Sequence, residues 1–422
     1  MPISRTMLAA VTAALVFPLV ATTSTQASGV STPDTIGVAD RLSEDVQLQR
    51  VRQAARLLMH PQLADAGARA RAASKAHSAM TAQFRPAKRG RVVHLQKKAG
   101  SRWVKVKTAK QNGKGRAEFT APFKVRRRIQ VYRVYAPRSA GLAAVTSRAV
   151  STNKWGAPAL DDAFSGTQLP SGWAHRQTEY DGLRKCAKSS TLGFQVVDGN
   201  ALRLSVIDDP FRPTDVLDPN PKCSTSEGNF HWRLTGQVST EDQRSFRYGY
   251  AAARIKFQPR AGQHGAFWLQ PASQTAKVGS PKETGAEIDV IEWFGNRAND
   301  NTELTSFAHY YPESVQDPRT EGVESKKVCG LINSPHRYGN DWAGKYHVFS
   351  LEWTPRQYVF RIDGKETCRS RKGVSGQRQF LILSLQSNIY EIPLLDGDPA
   401  APHTIEHLPQ HMYVDWVRFW KR

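Results

Sequence analysis

The chain has 422 residues, 40% of them hydrophobic, and a formal net charge of +22. The length suggests two or three domains, and the ordinary apolar content supports a sizeable core. Four cysteines without a CxxC pair argue against zinc, and no second long apolar run follows the N-terminus, which argues against a membrane-spanning protein.

Residues 1–27 read as a secretory signal. Arg5 supplies a short positive region, Met7 to Ala21 form an apolar run, and Thr25-Gln26-Ala27 offers small residues for cleavage. The apolar run is short for a membrane helix, so export with cleavage is expected, and the mature protein is expected to be a soluble, secreted monomer. In an exported protein an even number of cysteines suggests disulfides. Cys186–Cys223 and Cys329–Cys368 are the favoured pairs, because each closes a fairly local loop.

Residues 28–79 are expected to be a linker followed by a helical segment. Residues 28–42 are rich in Ser, Thr, Pro and Gly. Apolar residues at Val46, Val51, Ala54, Ala55, Leu57 and Leu58 then suggest a helix, with Ser43 as its N-cap and Pro61 at its end.

From 80 to 152 short alternating strands take over, separated by Gly, Asn or Pro turns. Alternation is clear in Trp103-Val104-Lys105-Val106-Lys107 and from Val131 to Tyr135. This predicts a small immunoglobulin-like or fibronectin-like β-sandwich. Trp103 and Tyr132 are expected in its core rather than on a ligand platform. The positive charge belongs to this part of the chain: residues 28–157 hold 27 Lys and Arg against 6 Asp and Glu, whereas residues 158–422 hold 31 of each. Such a basic region suits either an anionic surface, such as a cell wall, an acidic glycan or nucleic acid, or simple solvation.

Residues 158–422 read as one all-β block. Stretches such as "YGYAAARIKFQP", "GAFWLQP", "YHVFSLEWT", "QFLILSLQSN" and "MYVDWVRFWK" are strand-like, and long helical periodicity is almost absent. Two packed antiparallel sheets, a sandwich or β-jelly roll, are expected.

One stretch in that block, "GAEIDVIEWFG", carries Glu287, Asp289 and Glu292 inside an otherwise apolar run. Alternation puts Glu287 and Asp289 on one face. It leaves two outcomes for Glu292: exposure on the other face, or return to the first face through a one-residue β-bulge. Three acids on one face raise one another's pKa. One carboxylate can then stay ionised while a neighbour holds a proton, the division of labour that glycoside hydrolysis needs. A solvated acidic strand and a calcium site are the other readings of the same three residues.

The motif E-I-D-V-I-E resembles the E-x-D-x-x-E signature of glycoside hydrolase family 16, which includes laminarinase-type endo-β-1,3-glucanases. "FRYGYAAARIKFQP", "GAFWLQP", "YHVFSLEWTPRQYVFRIDGK" and "MYVDWVRFW" are similar to family stretches and stand in the right order. The resemblance covers about Pro158 to Arg422. It implies a jelly roll with a sugar cleft on its concave sheet and hydrolysis with retention of configuration, with no redox or nucleotide cofactor. It implies Glu287 as nucleophile, Glu292 as acid/base and Asp289 as the assisting acid, on the bulged form of the motif.

The resemblance also implies substrate contacts. Trp268 matches a position that stacks on a sugar ring, and Trp293 is a second candidate for the cleft, although a bulge could turn it into the core. His309 matches a histidine beside the acids, and Gln386 and Asn388 fall where amides bond sugar hydroxyls. Trp232 is a weaker cleft candidate. Asp415 matches a carboxylate that serves a structural calcium in many relatives, the one metal implied. The region "WAHRQTEYDGLRKCAKSS" departs from the "GWGNxE"-like stretch of many laminarinases. β-1,3-Glucan is therefore the default polysaccharide substrate, with mixed-linkage glucan and agar-type galactan as alternatives. Lectin-like relatives typically lose one or both glutamates of the motif, and this chain keeps both.

Overall fold

Strand pairing dominates the computed structural model, which describes residues 52–422 apart from 140, 181–183, 185, 198–199, 214, 217–229, 261, 274–275, 296–303, 313–324 and 388–407. The expected signal and linker, Ser43, Cys223 and Asn388 lie outside the described residues. No helix among the described residues is long and apolar enough to cross a membrane.

The first element corrects the helical expectation. Ala54–Ala64 is a strand of 11 residues, paired with His77–Arg85. Its Ala- and Leu-rich composition favours a helix locally, but burial decides otherwise. Leu57 and Met59 enter one core and Leu63 enters another, so the strand is wanted on both faces. Pro61 sits where the register shifts between Met59 and Gln62, a place where a missing N–H costs no ladder bond.

Ala54–Ala64, His77–Arg85 and Arg116–Pro122 form one sheet of a small sandwich. Val92–Ala99, Arg102–Lys110, Val131–Ala136 and Val150–Ser151, with Val145–Thr146, form the other. Met80, Phe84, Leu95, Phe119 and Tyr132 fill the space between them. Tyr132 is core, as expected. Trp103 is not: it is half-buried under the Arg133 guanidinium, 4.3 Å from its ring.

The rest of the chain is a long curled antiparallel sheet. Its order runs Lys326–Leu331, Leu304–Tyr310, Glu287–Trp293, Gln263–Pro271, Gln379–Ser387 and Arg233–Ser239, then Ala201–Asp208, Gln410–Lys421, Gly249–Lys256, His347–Thr354, Gln357–Ile362 and Lys365–Ser370. The two halves fold over one apolar core, a jelly-roll sandwich. Phe267, Ile288, Ile291 and Leu383 from one half meet Ile255, Leu351, Trp353 and Val417 from the other. The Cys329–Cys368 disulfide joins the two end strands of this order. Cys186 is also disulfide-bonded, and its expected partner, Cys223, is not described.

The small sandwich packs on the back of the jelly roll. Leu63, Ala76 and Ala79 meet Tyr250, Val348, Trp416 and Trp420. Arg254 is fully buried there. Its Nε donates to Asp65 O at 2.7 Å, and its Nη1 donates to Arg69 O at 3.0 Å and to Asp415 Oδ2 at 2.5 Å. Asp415 also accepts from the Arg71 backbone N–H at 3.0 Å. Asp415, the possible calcium ligand, is held here by the Arg254 guanidinium, which neutralises its carboxylate. A second link, at the rim, joins Arg116 to Glu366 through both carboxylate oxygens, at 2.8 and 3.0 Å.

Candidate active site

The acids stand on Glu287–Trp293, between Gln263–Pro271 and Leu304–Tyr310. In register, Glu287 pairs with His309, Asp289 with Phe307 and Glu292 with Thr305. Two residues, Val290 and Ile291, lie between Asp289 and Glu292, where one, Ser306, lies between their partners. That extra residue is the β-bulge, and it returns Glu292 to the face of Glu287 and Asp289. Val290 and Ile291 both turn into the core beneath.

Trp293 pays the geometric consequence. It is fully buried, its Nε1 donates to Gln258 O at 2.8 Å, and its ring stacks on Phe257. The expectation that it lines the cleft is corrected: once the bulge turns Glu292 outward, strict alternation turns the next side chain inward.

Each acid has its own partners. Glu287 accepts from Gln270 Nε2 at 3.1 Å. Gln270 in turn accepts from Arg176 Nη2 at 3.2 Å, and that guanidinium lies over the Trp268 ring at 5.3 Å. Trp268 is half-buried on the same face, its Nε1 donating to Ser384 Oγ at 3.0 Å. Glu292 accepts from His264 Nε2 at 2.9 Å and from Thr305 Oγ1 at 2.8 Å. The His264 ring stacks on Phe294.

Asp289 is the most enclosed of the three, 4% exposed. His309 Nε2 lies 3.2 Å from its Oδ2, yet that oxygen has no aligned hydrogen bond. Burial, then the charges of Glu292 and Glu287, push the Asp289 pKa well above the usual carboxylate range. Burial also pushes Glu292 upward, but the hydrogen bond and charge of His264, the Thr305 hydroxyl and His309 outweigh it, and its pKa falls below the ordinary value. Burial lowers the His309 pKa, against the pull of Glu287 and Glu292. The resting site thus keeps its proton on the middle acid and leaves Glu292 ionised.

Of the other expected contacts, His309 sits beside the acids, with Ser325 Oγ 3.2 Å from its Nδ1. Gln386 pairs in register with His264 and so shares the acids' face. Trp232 packs edge-on against Tyr180 in a separate small cluster. Sequence reasoning missed His264, Gln270, Thr305, Ser384 and Arg176. A period of two from Trp268 would have reached Gln270, Ala266 and His264 on the same strand; Arg176 comes from a distant segment with no such signal. As for metals, Glu287, Asp289 and His309 each bring one ligand atom within 4.8 Å of the others. The acidic cluster can divide protonation between its members, and Trp268, Gln270 and Gln386 share its face.

Residues 214–418 match the family model of the glycosyl hydrolases family 16. The match covers just under half of the chain. The chain is also similar to two curated proteins. One is Gram-negative bacteria-binding protein 3 of Drosophila melanogaster, 29% identical over 135 residues, which is 32% of this chain and 25% of the relative. The other is glucan endo-1,3-beta-glucosidase A1 of Niallia circulans, 24% identical over 194 residues, 46% of this chain and 24% of the relative. The chain therefore spans about a quarter of the length of each. Among solved structures, the laminarinase catalytic domain from Thermotoga maritima MSB8 is 18% identical, with a TM-score of 0.44, covering 63% of this chain and 98% of that one. The endo-beta-1,3-glucanase from Pyrococcus furiosus is 20% identical, with a TM-score of 0.43, covering 63% and 94%.

Proposed function

We propose that the chain is a secreted, endo-acting, retaining glycoside hydrolase of β-1,3- or mixed β-1,3/1,4-glucan. The observation that carries this reading is the bulge, which brings Glu292 to the face of Glu287 and Asp289. In the first step Glu292 protonates the glycosidic oxygen while a Glu287 oxygen attacks the anomeric carbon. The leaving chain departs as an alcohol, and a glycosyl ester forms on Glu287. In the second step the Glu292 carboxylate takes a proton from water, whose oxygen displaces Glu287 from the same carbon. Inversion twice gives retention. Asp289, protonated, can donate to Glu287 and steady its charge as it leaves. Trp268 offers a ring to a pyranose face and Gln386 an amide to its hydroxyls.

Because Glu292 rests ionised, the acid step requires it to gain a proton first, and activity should favour the acid side of neutrality. The double displacement itself calls for no cofactor. Secretion is supported by the signal-like N-terminus and the Cys329–Cys368 disulfide.

A second reading, a lectin-like glycan-binding protein on the same fold, is favoured by the similarity to a protein named for binding bacteria. The retention of both glutamates speaks for hydrolysis. Incubation with laminarin, lichenan, agarose and carrageenan, with reducing-end and anomer analysis, decides between them. New reducing ends of retained configuration from a glucan support the hydrolase. Digestion of agarose instead would move the substrate to galactan, sugar transfer without net hydrolysis would make it a transglycosylase, and binding without new ends would make it a lectin.

A further inference from the structure

A cavity of about 1530 Å³ lies where the small sandwich meets the back of the jelly roll. Small-molecule pockets usually measure about 300–1,000 Å³, so this one suits a length of polymer. Arg56 and Lys154 reach it from the sandwich, Arg247, Arg356 and Arg371 from the jelly roll, and Lys282 from a short helical turn. All six are exposed, and none makes an ion pair among the described residues. Glu352 is the one acidic residue among the described residues lining the cavity, and Arg361 Nη2 already holds it at 2.7 Å. Like charges gathered without counter-charges repel one another, and an anion relieves that repulsion.

The walls between these cations are aromatic. Trp155 stands edge-on to Tyr250, with ring centres 4.7 Å apart, and its Nε1 donates to Met59 O. Lys154 lies 5.8 Å from the Trp155 ring and Arg247 lies 5.6 Å from that of Tyr248. Trp155 and Tyr248 are half-buried and pinned by these contacts. Partly covered rings suit the C–H face of a sugar. Bases of a nucleic acid need free aromatic faces on which to stack, and the cavity offers none fully free.

We propose that this groove is a second, non-catalytic binding site for an anionic polysaccharide, a chain of sugars bearing carboxylate or phosphate groups. Two of its six cations, Arg56 and Lys154, come from the basic part of the chain. The site is independent of the chemistry assigned to the concave face, and its test is arranged accordingly.

The full-length chain carrying Glu287→Gln, to suppress any turnover, is titrated with sodium polygalacturonate, with poly(glycerol phosphate), with neutral dextran and with poly(dT), at low and high salt. The two anionic glycan-type probes separate carboxylate from phosphate recognition. Binding of either that weakens as salt rises, with dextran inert and poly(dT) weaker, is the expected result. Adding Arg56→Ala, Arg247→Ala and Arg356→Ala should weaken it about tenfold, as three partly screened charges would together. Arg247→Gln and Arg356→Gln, at exposed positions, serve singly if the triple variant does not fold, and each should weaken binding by a smaller factor. Unchanged affinity in these variants, tightest binding to poly(dT), or no binding of either anionic probe at low salt overturns the proposal. None of these results touches the hydrolase reading, which the unsubstituted Glu287 chain tests separately.

Discussion

His264 Nε2 donates to Glu292 Oε1 across 2.9 Å, from the strand next to the one that carries the acid. This contact, with Thr305, holds Glu292 below its ordinary pKa although the carboxyl is buried. A donor so placed stabilises the carboxylate and withholds the acid form until the pH falls. In His264→Leu the donor is gone and burial prevails, so the Glu292 pKa rises. The alkaline limb of the pH–kcat curve should then move to higher pH, and His264→Gln, which keeps a neutral donor, should move it less. A limb that stays in place in His264→Leu would show that another group controls it.

Glu292→Gln should lower kcat on polymeric glucan by about 10²–10⁴-fold, the usual reach of a positioned acid or base, and Glu287→Gln, which lacks the nucleophile, should abolish turnover. An aryl glycoside with a good leaving group needs no proton on that oxygen. On it Glu292→Gln should form the glycosyl-enzyme at near parent rate, while Glu287→Gln should remain inactive. Burst-phase kinetics read both, and the reverse pattern would exchange the two assignments.

Asp289 tests the proton's position through stability. Its folded pKa lies well above that of an ordinary aspartate, so between the two values the folded protein binds a proton that the unfolded chain does not. Stability from this site is therefore lost as pH rises from about the unfolded value. Asparagine mimics the protonated acid at every pH. Asp289→Asn should melt higher than the parent at neutral pH and level with it below the unfolded pKa. A variant that melts lower at neutral pH would mean that the carboxylate, not the acid, occupies the site.

The rim link between the sandwich and the jelly roll has the opposite sign. Burial raises the Glu366 pKa, but Arg369 and Arg116 together bring it below that of an ordinary glutamate. Its contribution is present above the unfolded pKa and fades as pH falls through the folded one. Glu366→Gln should cost about 1–3 kcal/mol at neutral pH, typical of charge-assisted hydrogen bonds. The difference from the parent should close in acid. Urea unfolding at both pH values measures this, and a difference that persists in acid would assign the cost to packing.

The sequence made the acidic strand legible because a period of two is hard to mistake, and the unusual charge marked the place where it breaks. The bulge was one of two outcomes there, and the choice came from the cost of burying Glu292 in the apolar core against the gain of burying Ile291 and Trp293 instead. Trp293 was ambiguous for the same reason. Ala54–Ala64 misled because local preference pointed to a helix, whereas the demand for two buried faces comes from strands remote in sequence. Asp415 was read by position, and its real partner, Arg254, is 161 residues away. His264 was readable from alternation, but nothing local announced its bond to Glu292.

The bridge from Cys329 to Cys368 holds together the first and last members of the long sheet order. Such outermost members carry unpaired backbone groups that can recruit a neighbouring molecule. Fastened to each other, they are poor templates. Thiol reductants would free two adhesive borders at once, so the damage they do should depend on protein concentration and show first as self-association, while the interior of the barrel-like fold is still intact.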